Sequence, residues 1–281
     1  MNLDEQWFTE VCEEGGSAFS LKVIAKLHEE RTPYQKIEIY ETERFGHLMV
    51  IDGFVMLTSY DNFLYHEMMA HPVLFTHPAP RDVLIVGGGD CGTLREVLRH
   101  GTVSRVTQVD IDERVTRLSE QYFPELCEAN GDPRATLVFA DAIAWIKDAA
   151  ADSLDVIIVD STDPIGPAEG LFSAAFYRDC RKALRPNGIL VQQSESPLFH
   201  RSLIAAMRRD MMTAGFGETR SLYFPQPSYP SGWWTATLAA TGRGLENFRA
   251  ADVDKKPFPT QYYSAAIHQG ALAVPPCMAV L

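Results

Sequence analysis

The chain has 281 residues, 46% of them hydrophobic and 22% charged, with a formal net charge of −12. These figures suit a soluble globular protein built as one large domain, or as a main domain with a smaller companion. The acidic balance argues against nucleic acid as a partner and suits cationic small molecules, and no apolar run approaches the roughly 20 residues a membrane helix needs.

Five cysteines (Cys12, Cys91, Cys127, Cys180, Cys277) are scattered, odd in number and without CxxC spacing. That is the usage of reduced thiols in a cytoplasmic compartment. The segment Met1 to Trp7 has neither a basic start nor an apolar core, so no secretory signal is expected there.

Residues 17–59 read as short strands. Ala18 to Val23, Lys36 to Tyr40 and Leu48 to Ile51 alternate, and Asp52-Gly53 before Phe54-Val55-Met56 is a two-residue hairpin signal. A small antiparallel β domain is expected. Asn62 to His71 then reads as a helix stopped by Pro72, and the chain divides into residues 1–72 and 73–281. His66-Glu67 followed by His71 invites a zinc reading, which fails on geometry. HExxH needs the second histidine four residues on, where Ala70 stands, and five residues turn it about 140° off the first. No metal is expected. On spacing alone His71 reads as a helix-end residue, and Tyr65 and His66 as ordinary interface residues.

Val83 to Val86 has the length and branching of a strand buried on both faces, Gly87-Gly88-Gly89 follows, and Thr93 to Arg99 reads as a helix. Strand, glycine turn and helix outline a nucleotide site, because bare N–H groups at the helix start can approach a ligand closely. Gly87-x-Gly89-x-x-Gly92 fits the dinucleotide fingerprint, but Asp90 inside the loop would face the pyrophosphate of NAD or FAD at close range. The same carboxylate suits a nucleoside with a positively charged appendage, such as a sulfonium nucleoside with an amine tail. A tight turn with no ligand is the plainer alternative, disfavoured by the entropic cost of three adjacent glycines.

Strands and helices then alternate. Arg105 to Asp110 is a strand ending in an acid about 20 residues past the loop, where ribose hydroxyls are usually held. Val115 to Tyr122 is a helix, Ala135 to Ala140 a strand ending at Asp141, Ala142 to Ala149 a helix, and Asp155 to Asp160 another buried strand. Ligands bind at the carboxyl ends of such strands, so Asp110, Asp141 and Asp160 together outweigh the separate reading of each as a helix cap. Ser161 to Gly170 is long and rich in Pro and Gly, which reads as a lid over that edge. Phe172 to Leu184 is a helix ending at Arg185-Pro186-Asn187-Gly188, Ile189 to Gln193 a fifth strand, and Arg201 to Met212 a helix. Residues 217–224 and 233–240 are strand-like, and the tail from Lys255 is expected on the surface. The expected fold class is α/β: a Rossmann-type doubly wound sheet with a small N-terminal antiparallel β domain.

Gly87-Gly88-Gly89-Asp90-Cys91-Gly92-x-x-Arg95-Glu96, Tyr65-His66-Glu67-Met68, Asp160-Ser161-Thr162-Asp163-Pro164-x-Gly166-Pro167, Tyr229-Pro230-Ser231-Gly232 and Tyr262 to His268 together resemble the spermidine synthase (polyamine aminopropyltransferase) family. The resemblance spans nearly the whole chain. It implies transfer of an aminopropyl group from decarboxylated S-adenosylmethionine to putrescine, giving spermidine and methylthioadenosine, in a homodimer or homotetramer. The donor is a co-substrate, and no separate cofactor or metal is implied. Asp90 would hold the donor's amine with Gln35 and His66 nearby, Asp110 its ribose, Asp141 and Ala142 its adenine, and Pro167 its methylthio end. Gly87 and Gly89 would form the loop under it. Tyr65, Asp160, Asp163 and Tyr229 would line the putrescine channel, with Asp160 as the catalytic acceptor. The family commonly has Gly at Cys91 and Glu at Asp110, and Met56, Asn62 and Ser194 also depart from its pattern, which bears on the acceptor more than on the reaction.

A sulfonium makes the adjacent propyl carbon electrophilic, so the enzyme need only deliver a neutral amine in line with the C–S bond. Amines titrate near 10 and an ordinary Asp near 3.9, a mismatch of about 6 units or roughly 9 kcal/mol. Asp160 is therefore expected to orient the ammonium while burial and the sulfonium lower the amine's pKa, with proximity supplying much of the acceleration. The other readings are a methyltransferase using intact S-adenosylmethionine, whose α-carboxylate Asp90 would repel, and a non-catalytic polyamine or nucleoside binder. An NAD-dependent oxidoreductase is the poorest fit.

Overall fold

The computed structural model describes residues 3–4, 6–164 and 166–279, and of Pro167 only the backbone. β1 (Trp7–Cys12), β2 (Ser17–Arg31), β3 (Lys36–Thr42), β4 (His47–Ile51) and β5 (Phe54–Thr58) form a five-stranded sheet in chain order, each pair antiparallel. Asp52 (φ 49°) and Gly53 (φ 92°) make the expected hairpin turn, both in the left-handed region that such a turn demands. Two features differ from the reading of the sequence. β1 is a strand that the alternation did not reveal, and β2 is one 15-residue strand rather than a short one. Shifts of register after Val23 and after Lys26 break its period of two.

α1 (Asn62–Thr76) contains Pro72 instead of stopping at it. A proline within a helix costs about 3 kcal/mol or more. Burying Val73, Leu74 and Phe75 beyond it returns about 1.5–3 kcal/mol for each side chain. Tertiary burial wins, and α1 crosses residue 72 as one helix.

The second sheet is built from β6 (Asp82–Gly87), α2 (Gly92–Leu98), β7 (Arg105–Asp110), α3 (Glu113–Tyr122), β8 (Ala135–Phe139), α4 (Ala142–Asp148), β9 (Leu154–Asp160), α5 (Ala174–Ala183), β10 (Leu184–Gln193), α6 (Arg201–Thr213), β11 (Glu218–Pro225) and β12 (Trp233–Ala240). Its order is β11-β12-β10-β9-β6-β7-β8, parallel from β10 to β8, with β12 antiparallel to both its neighbours. The chain winds outward through β7 and β8, then returns to lay β9 beside β6. That reversal is the switch point, and a crevice opens there at the carboxyl ends of the strands.

Side chains of α1 and α2 cover one face, where Met68, Val73, Leu94 and Val97 meet Ile85 and Ile158. Ile146, Phe176 and Met207 from α4, α5 and α6 cover the other against Leu84 and Ile157. α3 turns toward the first sheet, and Val115 and Leu118 join Ile37, Ile39 and Met49 in a third cluster. The tail, with α7 (Ala250–Asp254) and α8 (Ala265–Ala271), is not a surface appendage. Tyr263 and Ala271 belong to the first cluster. The Glu67 carboxylate accepts the N–H groups of Gln261, Tyr262 and Tyr263 at 2.7, 2.9 and 2.7 Å. Among the described residues no helix is long and apolar enough to cross a membrane.

Candidate active site

The glycine loop lies where β6 meets the end of β9. Gly88 N donates to the carbonyl of Asp160 at 2.7 Å, and Gly87 and Gly88 both have positive φ. A Cβ on Gly87 would stand 2.2 Å from the Asp160 carbonyl oxygen, and one on Gly92 2.2 Å from the ring of His66. The close approaches these glycines allow are thus to the chain's own atoms as well as to the crevice. Asp90 turns back on the loop. Its Oδ1 accepts from Gly92 N at 2.6 Å and faces His66 Nε2 at 3.1 Å. Burial pushes the Asp90 carboxyl up, but His66 and the Gly92 amide outweigh it and hold it below the ordinary range. Burial likewise pushes His66 down, and Asp90 more than reverses that. Each favours the charged form of the other.

His71 takes no part in this. It is fully buried in mid-helix, not at a helix end, with Nε2 3.2 Å from Glu96 Oε2 and Nδ1 3.0 Å from His100 Nε2. The two histidines of α1 therefore face separate carboxylates.

Three strands end in acids, each in a different setting. Asp160 is buried, its Oδ1 accepting from Tyr65 Oη at 2.7 Å and its Oδ2 from Thr93 Oγ1 at 2.6 Å. Burial and the nearby Asp90 raise its pKa, against the pull of His66, Thr93 and Tyr65. Asp110 accepts from Asp112 N at 2.8 Å, yet burial pushes it up to about 6. Asp141 is exposed and caps α4 through Ile143 N at 2.8 Å, so for this residue the cap and the site coexist.

A cavity of about 220 Å³ gathers most of the expected residues. Gln35, Tyr65, Gly87, Gly89, Asp90, Asp110, Asp141, Ala142, Asp160, Asp163 and Tyr229 all line it. His66 stands behind Asp90 rather than in the wall. Pro167 falls in the 3-10 turn Gly166–Phe172, and its side chain lies outside the described residues. The same turn sends Ala168 and Leu171 into the wall, over the carboxyl edge.

A second cavity of about 40 Å³ adjoins the first and shares Tyr65, Asp163 and Tyr229 with it. Tyr229 Oη donates to the Met56 carbonyl at 2.5 Å, and its ring meets that of Tyr65 edge-on at 5.9 Å. Here the sequence reading missed two acids. Glu10 of β1 accepts from Val55 N at 2.7 Å, and burial pushes it up to about 7, with the Val55 bond opposing and Asp163 adding. Glu195, two residues past β10, lines neither cavity but presses on Asp163, which lines both, and burial and Asp163 push it well up. Its position after a buried strand was a usable signal, the same that pointed to Asp160. Thr93 and Asp112 were also missed, since their bonds cross between elements. Carboxyls thus line the joined cavities from Asp90 through Asp160 and Asp163 to Glu10, with His66 behind Asp90. That arrangement can bind hydroxyls and cationic nitrogen.

An α/β fold of methyltransferase-like winding, with an acid-lined crevice at its switch point, defines a nucleoside-binding transferase class. Residues 62–248 match the spermine/spermidine synthase domain and residues 6–59 the spermidine synthase tetramerisation domain. A polyamine aminopropyltransferase of Methylococcus capsulatus is 65% identical over 271 residues, 96% of this chain and 95% of its own. One of Thioalkalivibrio sulfidiphilus is 64% identical over 98% of this chain and 97% of its own. A crystal structure of spermidine synthase in complex with the transition state analogue AdoDATO matches with a TM-score of 0.94 at 31% identity, covering 100% of this chain and 97% of that one. The chain belongs to the spermine/spermidine synthase family.

Proposed function

We propose that the chain is a spermidine synthase, moving the aminopropyl group of decarboxylated S-adenosylmethionine onto putrescine. The observation that carries this is the place of Asp160 in the wall of the larger cavity, held by Thr93 and by Tyr65, a residue that both cavities share. Each of its oxygens accepts one bond and keeps a lone pair for an ammonium. The amine nitrogen forms a bond to the propyl carbon, the C–S bond breaks, and its electron pair stays on sulfur as methylthioadenosine while a proton leaves the nitrogen. The raised pKa of Asp160 narrows its mismatch with the amine. Asp90 serves the donor's amine with Gln35 nearby, and Gly87, Gly89, Asp110, Asp141, Ala142 and Pro167 serve its nucleoside. His66 keeps Asp90 in place. Tyr65, Asp163 and Tyr229 line the way for putrescine, whose far ammonium suits the acids of the smaller cavity. Alkyl transfer from a sulfonium needs neither a metal nor a redox group.

The same proposal includes an N-terminal β domain, a catalytic domain that takes in the whole of α1 rather than dividing it at residue 72, action in the cytoplasm and a homo-oligomer. It is tested by incubating the protein with putrescine and either decarboxylated or intact S-adenosylmethionine, and weighing the products. Spermidine and methylthioadenosine are expected from the decarboxylated donor alone. A methylated product from the intact donor would overturn the proposal in favour of a methyltransferase.

A further inference from the structure

Asp112 lies two residues past Asp110, is 3% exposed and lies outside the cavity wall, yet it is bonded to two residues of that wall. Its N–H donates to Asp110 Oδ1 at 2.8 Å. Its Oδ2 accepts from Thr32 Oγ1 at 2.7 Å and from Gln35 Nε2 at 3.1 Å, while Oδ1 accepts from Arg114 N at 3.1 Å and so caps α3. Thr32 and Gln35 belong to the turn between β2 and β3. One carboxylate therefore ties the first sheet to the second beside the crevice.

The chemistry of this contact sets an orientation. A carboxylate only accepts, so Gln35 must offer it the NH₂ edge, because the reversed amide would set oxygen against oxygen. That leaves Oε1 for the cavity, and among the described residues it has no hydrogen-bond partner. Asp110 is turned by the same residue through its main chain. We propose that Asp112 is a positioning residue that presents the Gln35 carbonyl oxygen and the Asp110 carboxylate together, as paired acceptors for the two neighbouring hydroxyls of a nucleoside ribose. This deepens the functional reading and rests on it. It also moves Gln35 from the amine end of the donor, where the family resemblance set it, to the ribose end.

The joint need not collapse when Asp112 changes, because Arg114 also pairs with Glu30 at 2.7 and 3.1 Å and His47 Nδ1 meets the Tyr122 carbonyl at 2.7 Å. Asp112→Asn has one acceptor where two are needed, so the cap or the Gln35 bond is lost. Gln35→Glu alone sets two carboxylates face to face. The double variant reverses the pair: the new amide keeps its oxygen on Arg114 N and donates to the new carboxylate, which still shows an acceptor to the cavity.

Calorimetry with methylthioadenosine, below the thermal midpoint of each protein, reads the result. Each single variant is expected to bind about tenfold more weakly, and the double variant within about threefold of wild type. A double variant as weak as the summed singles, or single variants that bind like wild type, would overturn the assignment. A wild type that binds methylthioadenosine but transfers no aminopropyl group overturns the functional reading instead. One that does not bind it overturns both.

Discussion

At the glycine-loop end of the crevice Asp90 has His66 and the Gly92 amide for partners, and its carboxyl is held below the ordinary range. At the other end Glu10 and Glu195 crowd against Asp163, and both are pushed up, Glu10 to about 7. The contrast comes from partners, since burial pushes all three carboxyls the same way. An acid that faces an imidazole and an N–H and is held below the ordinary range is ionised before any ligand arrives. Glu10 has one amide against burial and Asp163, so near neutral pH it keeps part of its proton until a cation enters and takes its place. One end is therefore a fixed anion, and the other becomes anionic in step with its guest. Asp160 stands between, with two hydroxyl donors but pressed by Asp90.

The largest way to break this arrangement is at its centre. Asp160→Asn should lower kcat by about 10²–10⁴-fold, because it orients the attacking nitrogen in the transition state. The rise of activity from neutral to alkaline pH should persist at the lower level, as it reflects the amine. Turnover near wild type would move the search to Tyr65 and Tyr229.

The fixed end comes next. Asp90→Asn should weaken decarboxylated S-adenosylmethionine by roughly 10- to 100-fold, the loss of a charge-assisted hydrogen bond. Methylthioadenosine, which lacks the amine, should lose far less. Equal losses in a calorimetric titration would mark Asp90 as a structural support of the loop.

The responsive end is sharpened by pH. Glu10 titrates at about 7 in the folded chain, so its carboxyl is neutral below that pH and anionic above it. Putrescine stays cationic throughout, near 10. Its KM should fall as pH rises from 6 to 8, and Glu10→Gln should remove the slope and raise KM about tenfold at pH 8. A wild-type KM that ignores pH over this window would take Glu10 out of the amine site.

The smallest effect belongs to Asp110, which burial pushes up to about 6. Such a group is about 90% ionised at pH 7 and about 25% at pH 5.5. Methylthioadenosine should therefore bind about fourfold more weakly at the lower pH, and Asp110→Asn should show no such trend. An equal trend in both proteins would assign it to another group.

What could be read from the sequence follows the same division. The glycine-loop end is built by short connections within one wound sheet. An aliphatic run ending in Asp marks its own strand, its own edge and its own ligand side, which is why Asp110, Asp141 and Asp160 stood out, and three glycines framed Asp90. Glu10 offers no such signal. Its strand is an edge strand, half-buried along most of its length, and Glu10 reaches the site only because β5 places Val55 N against it. The bonds of Asp112 to Thr32 and Gln35 span 80 and 77 residues and exist only once the two sheets have docked. Pro72 shows the converse: a strong local stop signal overruled by apolar side chains whose burial no neighbouring residue announces.

Glu67 directly follows Tyr65 and His66 on α1 and is bound by three amides of the tail. Translation delivers those amides 194 to 196 residues after the carboxylate that needs them. A nascent chain that docked α1 early would bury a carboxylate without partners, at a cost of about 3–5 kcal/mol. That cost weighs against docking of the helix bearing Tyr65 and His66 until Gln261, Tyr262 and Tyr263 have been made, so the last-made part of the chain helps to fix a wall of the crevice that it does not itself line.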